Sequence, residues 1–172
     1  MPIEQMFTSI VLLGLLGIAV VSDLRRHRIP NLLVLLGLVL GLTSQAYASG
    51  VEGLGNAALA MLIGFAVFLP LYALGGMAAG DVKLMAMVGC FFTPHDAFWT
   101  ALFSLAAGGL CGFLIILFRG QLLQTLARYW LILRARTYLV PAVDEVAGKP
   151  FPYSVAILLG TLASGYWLQI GP

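Results

Sequence analysis

Long apolar stretches that carry no charge dominate this sequence. Of its 172 residues, 61% are apolar and only 9% are charged, whereas soluble domains average roughly 45–50% apolar and about 25% charged residues. So few charges cannot cover the surface of a soluble domain of this length. Because lipid offers no hydrogen bonds to the backbone, the apolar stretches predict helices that cross a membrane.

Six apolar runs follow one another along the chain. A complete span takes about 20 apolar residues, with a range of about 17–25. The third, fifth and sixth runs meet that length, the first nearly does, and the fourth is short. We predict an all-α, polytopic membrane helix bundle of about six transmembrane helices, forming a single domain over residues 1–172. The six runs cover residues 6–21, 32–48, 54–74, 82–92, 97–118 and 151–170.

The basic residues are divided unequally between the loops. With six alternating spans, all nine fall on one side of the membrane. The charged residues of the other side are the acids Glu4, Glu52 and Asp96. Positive charge in short loops marks the cytoplasmic face, so both termini are predicted to lie outside. The nine are Arg25, Arg26, Arg28, Lys83, Arg119, Arg128, Arg134, Arg136 and Lys149.

Two segments show finer helical patterns. In residues 121–136, polar side chains recur with helical spacing among leucines, which predicts an amphipathic helix on the cytoplasmic surface. Gly37 and Gly41 are four residues apart in the second run, a spacing that favours close packing between helices.

Two aspartates lie at helix ends on the predicted cytoplasmic side. Asp23 follows the first run, and Asp81 opens the fourth. Ionisable residues at the hydrocarbon boundary are costly and tend to mark functional sites. Two nearby carboxyls cannot both ionise readily, and a pair sharing one proton can activate water. Two structural interpretations stay open: Asp23 could pair with Arg26 or His27, and Asp81 could cap a helix.

The residues around both aspartates resemble motifs of the type IV prepilin peptidases. Residues 23–31 resemble the first aspartate motif, residues 75–84 resemble the second, the GxGD region, and residues 149–156 are similar to the start of the last span. Ala78 replaces the first glycine of GxGD, a change that we expect the turn to tolerate unless φ is positive there. The motif residues are Asp23, Arg28, Pro30, Asn31, Gly76, Gly80, Asp81 and Lys83.

The resemblance implies a membrane aspartic endopeptidase of the bacterial inner membrane. Such enzymes remove the short basic leader of prepilins or pseudopilins at the cytoplasmic face, and Asp23 and Asp81 would be the catalytic pair. The expected partners are that substrate and the lipid bilayer, with no cofactor, no metal and no nucleic acid. The two cysteines form no CxxC pair, so the chain is similar to the short form that lacks the methyltransferase domain and serves tight-adherence (Flp) pili.

Two other functions use the same acids. A small proton-coupled carrier or membrane scaffold would bury them near the midplane, often between two related halves. A presenilin-type GxGD protease pairs that motif with Tyr-Asp, whereas Ser22 precedes Asp23 here. Neither pattern is present in the sequence, and the prepilin peptidase remains the leading hypothesis.

Overall fold

The structure, a computed structural model, describes residues 3–118, 120 and 152–170. Its regular structure is helical throughout these residues, which confirms the predicted all-α class. In the described ranges five helices follow in order: α1 (Ile3–Arg26), α2 (Asn31–Ala73), α3 (Ala79–Gly89), α4 (Pro94–Phe118) and α5 (Tyr153–Ile170). The predicted amphipathic helix at 121–136 lies outside the described residues.

The chain divides into two compact units. The first comprises Met1–Gly108 with Pro152–Pro172, and the second comprises Gly109–Phe151. All residues of the candidate site described below belong to the first unit. The single domain over residues 1–172 stays a prediction.

Within the part of the chain that the structure describes, three helices are long and apolar enough to cross a membrane. They are Met6–Arg26 of α1, Asn31–Ala73, which is the whole of α2, and Pro94–Phe118, which is the whole of α4. Large apolar side chains on these helices are exposed, among them Phe7, Leu35 and Phe113. Such a surface suits lipid, and it agrees with the predicted membrane protein.

Helix α2 is too long for one straight span. Its 43 residues contain a kink at Ser49 and Gly50, whose backbone angles are not helical, and this kink falls between the second and third predicted runs. Helix α3 has 11 residues, about 16 Å at 1.5 Å per residue, which is roughly half the hydrocarbon thickness. The count of six spans therefore stays a prediction.

Helix α3 packs against both segments of α2 through small residues. A Cβ atom added at Gly41 would lie 2.7 Å from Cβ of Cys90, and one added at Gly64 would lie 2.7 Å from the backbone oxygen of Met85. The close packing predicted at Gly41 is thus confirmed. The middle of α3 and its C-cap, Cys90, therefore lie directly against the two segments of α2.

The glycine-rich turn between α2 and α3 ends α2 with a Schellman motif. Gly75 has φ +75, and its N–H donates to the carbonyl of Tyr72 at 2.9 Å, while the Gly76 N–H donates to that of Leu71 at 2.8 Å. A left-handed residue in this position favours glycine. The turn then leads directly into α3.

Helix α5 begins at a closely packed tyrosine. The Tyr153 ring meets Phe68 edge-to-face, with centroids 5.8 Å apart, and a Cβ atom at Gly108 would overlap that ring. Helix α5 also contacts α1 and α3. Tyr153 therefore fixes the first turn of α5 among the helices that carry the two aspartates.

Candidate active site

Asp23 lies in the last turn of α1, with only 8% of its surface exposed. The helix ends just after it: the His27 N–H donates to the Asp23 carbonyl at 2.7 Å, and His27 has φ 49, outside the helical region. The Asp23 carboxyl accepts a hydrogen bond at Oδ2 from Ser154 Oγ, 2.6 Å away. Ser154 is fully buried in the first turn of α5.

Asp81 is the third residue of α3 and is 4% exposed. Its Oδ2 accepts a hydrogen bond from the Ala78 N–H at 3.1 Å, while its own N–H donates to the Ala78 carbonyl at 3.1 Å. An acid at this position commonly closes the start of a helix by bonding back to the capping residue. Asp81 therefore does stabilise the helix start, although Ala78, and not Asp81, is the N-cap.

Ala78 itself adopts an ordinary extended conformation. Its φ is −82 and its ψ is 153, a region open to any residue with a Cβ atom. The replacement of the motif glycine therefore introduces no backbone strain. The turn needs glycine at Gly75, three residues earlier, where φ is positive.

Burial changes the protonation of Asp81. It raises the pKa of the Asp81 carboxyl from 3.8 to about 7, the hydrogen bond from Ala78 opposes this change, and the charge of Asp23 raises the pKa further. Asp81 precedes the fourth predicted run and lies outside the three spans. Near neutral pH a large share of Asp81 carries a proton, so it can act as a hydrogen-bond donor.

Each carboxyl is thus held by one oxygen. Ser154 holds Oδ2 of Asp23, Ala78 holds Oδ2 of Asp81, and the second oxygen of each accepts no hydrogen bond from the residues that the structure describes. Within the same residues, Asp23 forms no ion pair, so the pairing with Arg26 or His27 is not observed. The arrangement therefore restrains each acid through one of its two oxygens.

The other motif residues join the two aspartate segments. Lys83 Nζ donates to Asn31 Oδ1 at 3.2 Å, at the edge of a groove of about 370 Å³. The position of a Cβ at Gly80 lies 3.6 Å from the side chain of Ile29. The groove is lined by Asn31, Val34, Leu35, Leu38, Phe65, Lys83 and Ala86.

The remaining three motif residues act through their backbones. The Arg28 carbonyl accepts from Ser22 Oγ at 2.9 Å. The Pro30 carbonyl accepts from the N–H groups of Leu33 and Val34, which opens α2. Gly76 belongs to the Schellman turn, as described above. These contacts shape the two segments, and none of them reaches an aspartate carboxyl.

Ser154 is the residue of the site to which sequence reasoning gives no role. Its only signal is a hydroxyl directly after Pro152 and Tyr153, at the start of the last apolar run. A metal site has no support from geometry: among residues 3–118, 120 and 152–170, no group of three or more His, Cys, Asp or Glu could hold an ion. That the protein uses no metal stays a prediction.

Comparison with known proteins identifies a family for this chain. A model of the type IV leader peptidase family matches residues 10–117, which is 108 of the 172 residues. The match contains both aspartates and ends before Ser154. No curated protein and no solved structure matches the chain.

Proposed function

Because the chain belongs to the type IV leader peptidase family, we propose that it is a membrane aspartic endopeptidase in which Asp23 and Asp81 are the catalytic pair. The substrates are type IV-like prepilins or pseudopilins, whose short basic leader is removed. The observation that carries this proposal is the pair of buried carboxyls, each held by one oxygen and each at a helix end.

The proposed reaction needs one carboxyl with a proton and one without. Asp81, whose pKa is about 7, donates a hydrogen bond to the scissile carbonyl oxygen. Asp23, as carboxylate, takes a proton from water, and the water oxygen bonds to the carbonyl carbon. The tetrahedral intermediate collapses when the C–N bond breaks and the leaving nitrogen receives a proton from the dyad. No covalent enzyme intermediate forms.

The proposed location is the cytoplasmic face of the bacterial inner membrane. The basic loops favour that orientation, with both termini outside. Asp23 is three residues from the end of α1, and Asp81 is the third residue of α3. These positions at helix ends suit cleavage where a substrate helix enters the interface, and they are unlike the midplane acids of a proton-coupled carrier.

The proposed substrate within the family rests on the resemblance to the short form of these enzymes. The chain contains Cys90 and Cys111 and no CxxC pair, so we assign no N-methylation to it. We propose a tight-adherence (Flp-like) prepilin or a related pseudopilin as the substrate. A panel of prepilins incubated with the same membranes would test this choice, and cleavage restricted to other pilin classes would overturn it.

The catalytic pair is tested with Asp23→Asn and Asp81→Asn. Asparagine keeps an oxygen that can accept the bond from Ser154 or Ala78, so both variants should fold. We expect leader removal, followed in membranes by the mobility of the prepilin on a gel, to fall by about 10²- to 10⁴-fold in each variant.

Asp96→Asn is the matched control. Asp96 is an acid near a helix start, bonded to Thr93 at 2.7 Å, on the predicted opposite side of the membrane. We expect it to cleave at the normal rate. Near-normal cleavage by Asp23→Asn or Asp81→Asn would contradict the proposed function.

A further inference from the structure

Ser154 approaches Asp23 from a distant part of the chain. The two residues are 131 positions apart, and the hydroxyl lies 2.6 Å from Oδ2. An O–H···O separation of about 2.5–2.7 Å is typical of a charged acceptor. Ser154 is fully buried, so water cannot replace the acceptor that Asp23 provides.

The bond restrains the one soft torsion of the Asp23 side chain. Rotation about χ2 of an aspartate is broad and roughly two-fold, so an unrestrained carboxyl presents its oxygens in many directions. With Oδ2 held by Ser154, the direction of Oδ1 is set. Displacing a catalytic group by about 1 Å can cost on the order of a hundredfold in rate.

Ser154 is itself held in place. It follows Tyr153, whose ring packs on Phe68 and against Gly108. It also lies in the first turn of α5, where the backbone N–H groups favour negative charge nearby. The hydroxyl is therefore a fixed donor, and the carboxylate form of Asp23 is its natural acceptor.

We infer that Ser154 is a positioning residue of the active site: its hydroxyl holds Asp23 in the orientation that activates water. In this role it contacts Oδ2 of Asp23 and leaves Oδ1 to take the proton from water. The inference rests on the proposed function, in which Asp23 is catalytic. It adds to the site a residue that lies outside the region matched by the family.

The sharpest test compares Ser154→Thr with Ser154→Val. Threonine and valine have nearly the same shape, so both add the same bulk to the buried position, and only threonine keeps the hydroxyl. We expect kcat for leader cleavage to be on the order of tenfold to a hundredfold higher for threonine than for valine. KM should be similar in the two variants, because substrate binding is not affected.

Ser154→Ala provides a test if neither the threonine variant nor the valine variant folds. It adds no volume, and we expect it to lower kcat on the order of tenfold or more relative to the wild type, again with KM unchanged. Ser164→Ala is the control on the same helix. Ser164 is also fully buried and lies 2.9 Å from the Thr100 hydroxyl, far along α5 from the aspartates, and its loss should leave kcat unchanged.

The outcomes separate this inference from the proposed function. Equal kcat for threonine and valine, or wild-type kcat for Ser154→Ala, overturns the role of Ser154 while Asp23→Asn and Asp81→Asn remain inactive. If those two asparagine variants cleave normally, the proposed function fails first. A kcat loss in Ser164→Ala as large as that in Ser154→Ala would also overturn the inference, because it would reflect packing of α5 alone.

Discussion

The two aspartates are held in opposite ways. Asp81 is bonded to Ala78, three residues earlier in the same turn, whereas Asp23 is bonded to Ser154, which is 131 residues away on another helix. The first contact forms whenever the turn and the first residues of α3 form. The second forms only when α5 has packed beside α1.

The two aspartates therefore differ in their sensitivity to substitutions elsewhere in the molecule. A local contact depends on a few backbone angles and resists changes elsewhere in the molecule. A contact between distant helices depends on every residue that positions them, including Tyr153 and its neighbours. We therefore expect the orientation of Asp23 to respond to remote substitutions to which Asp81 is insensitive.

The largest expected effect is on the pH dependence of stability, through Asp81. Its pKa is about 7 in the folded protein, against 3.8 for an ordinary aspartate, so the folded state binds the proton more tightly. The resulting stabilisation is complete below about pH 4 and is lost as the pH rises to about 7. It amounts to roughly 4 kcal/mol, at about 1.36 kcal/mol per pKa unit.

Thermal unfolding in detergent between pH 4 and pH 8 measures this loss. The wild-type Tm should fall as the pH rises, and Asp81→Asn, which cannot titrate, should give a flatter curve. The Tm of Asp81→Ala should depend as weakly on pH but be lower at every pH, because this variant also loses the hydrogen bond to Ala78. A wild-type slope in both variants would assign the pH dependence to a different group.

The second effect tests the long-range support of Asp23 through Gly108→Ala. The new methyl group would overlap the Tyr153 ring, and overpacking of this kind typically costs about 1–3 kcal/mol. We expect a lower Tm and a lower kcat for leader cleavage, because Ser154 shifts together with Tyr153. Cleavage assays and unfolding curves on the same detergent-purified protein measure both.

Gly109→Ala is the matched control for that substitution. It lies next along the same helix, and a Cβ atom there meets nothing within 4 Å. Alanine in a helix interior is typically more stable than glycine by about 0.5–1 kcal/mol, so the Tm should stay level or rise and kcat should not change. Identical behaviour of the two variants would show that the Tyr153 contact does not support the site.

Much of the fold follows from the sequence because apolar runs fix where helices form. The predicted first run stops at residue 21, yet α1 continues to Arg26, since helix-forming polar residues can extend a span into the interface. The predicted fourth run covers residues 82–92, whereas α3 is Ala79–Gly89. It begins earlier because Asp81 closes the helix start onto Ala78, a local effect that hydropathy does not register.

The supports of the two aspartates also differ in how far the sequence predicts them. The helix start at Asp81 can be predicted from its neighbours, because glycine and a nearby acid have well-defined local roles there, although Asp81 bonds back to the cap, Ala78, and is not itself the cap. The partner of Asp23 cannot, because Ser154 reaches it only through the packing of α5, and a single serine in an apolar run carries no signal of its target. Sequence thus identifies both acids and places Asp81 at a helix start, but it names neither Ala78 nor Ser154 as a hydrogen-bond partner.

The smallest effect concerns the local support, through Ala78→Gly, which restores the family's GxGD pattern. The φ of Ala78 is −82, so glycine relieves no strain and only adds freedom to the unfolded chain, at a cost of about 0.4–1 kcal/mol. We expect cleavage within about twofold of the wild type and a slightly lower Tm. Gly75→Ala, where φ is +75, should cost more, about 1–2 kcal/mol. A large gain in cleavage by Ala78→Gly would show that the turn delivering Asp81 is not already in its working conformation.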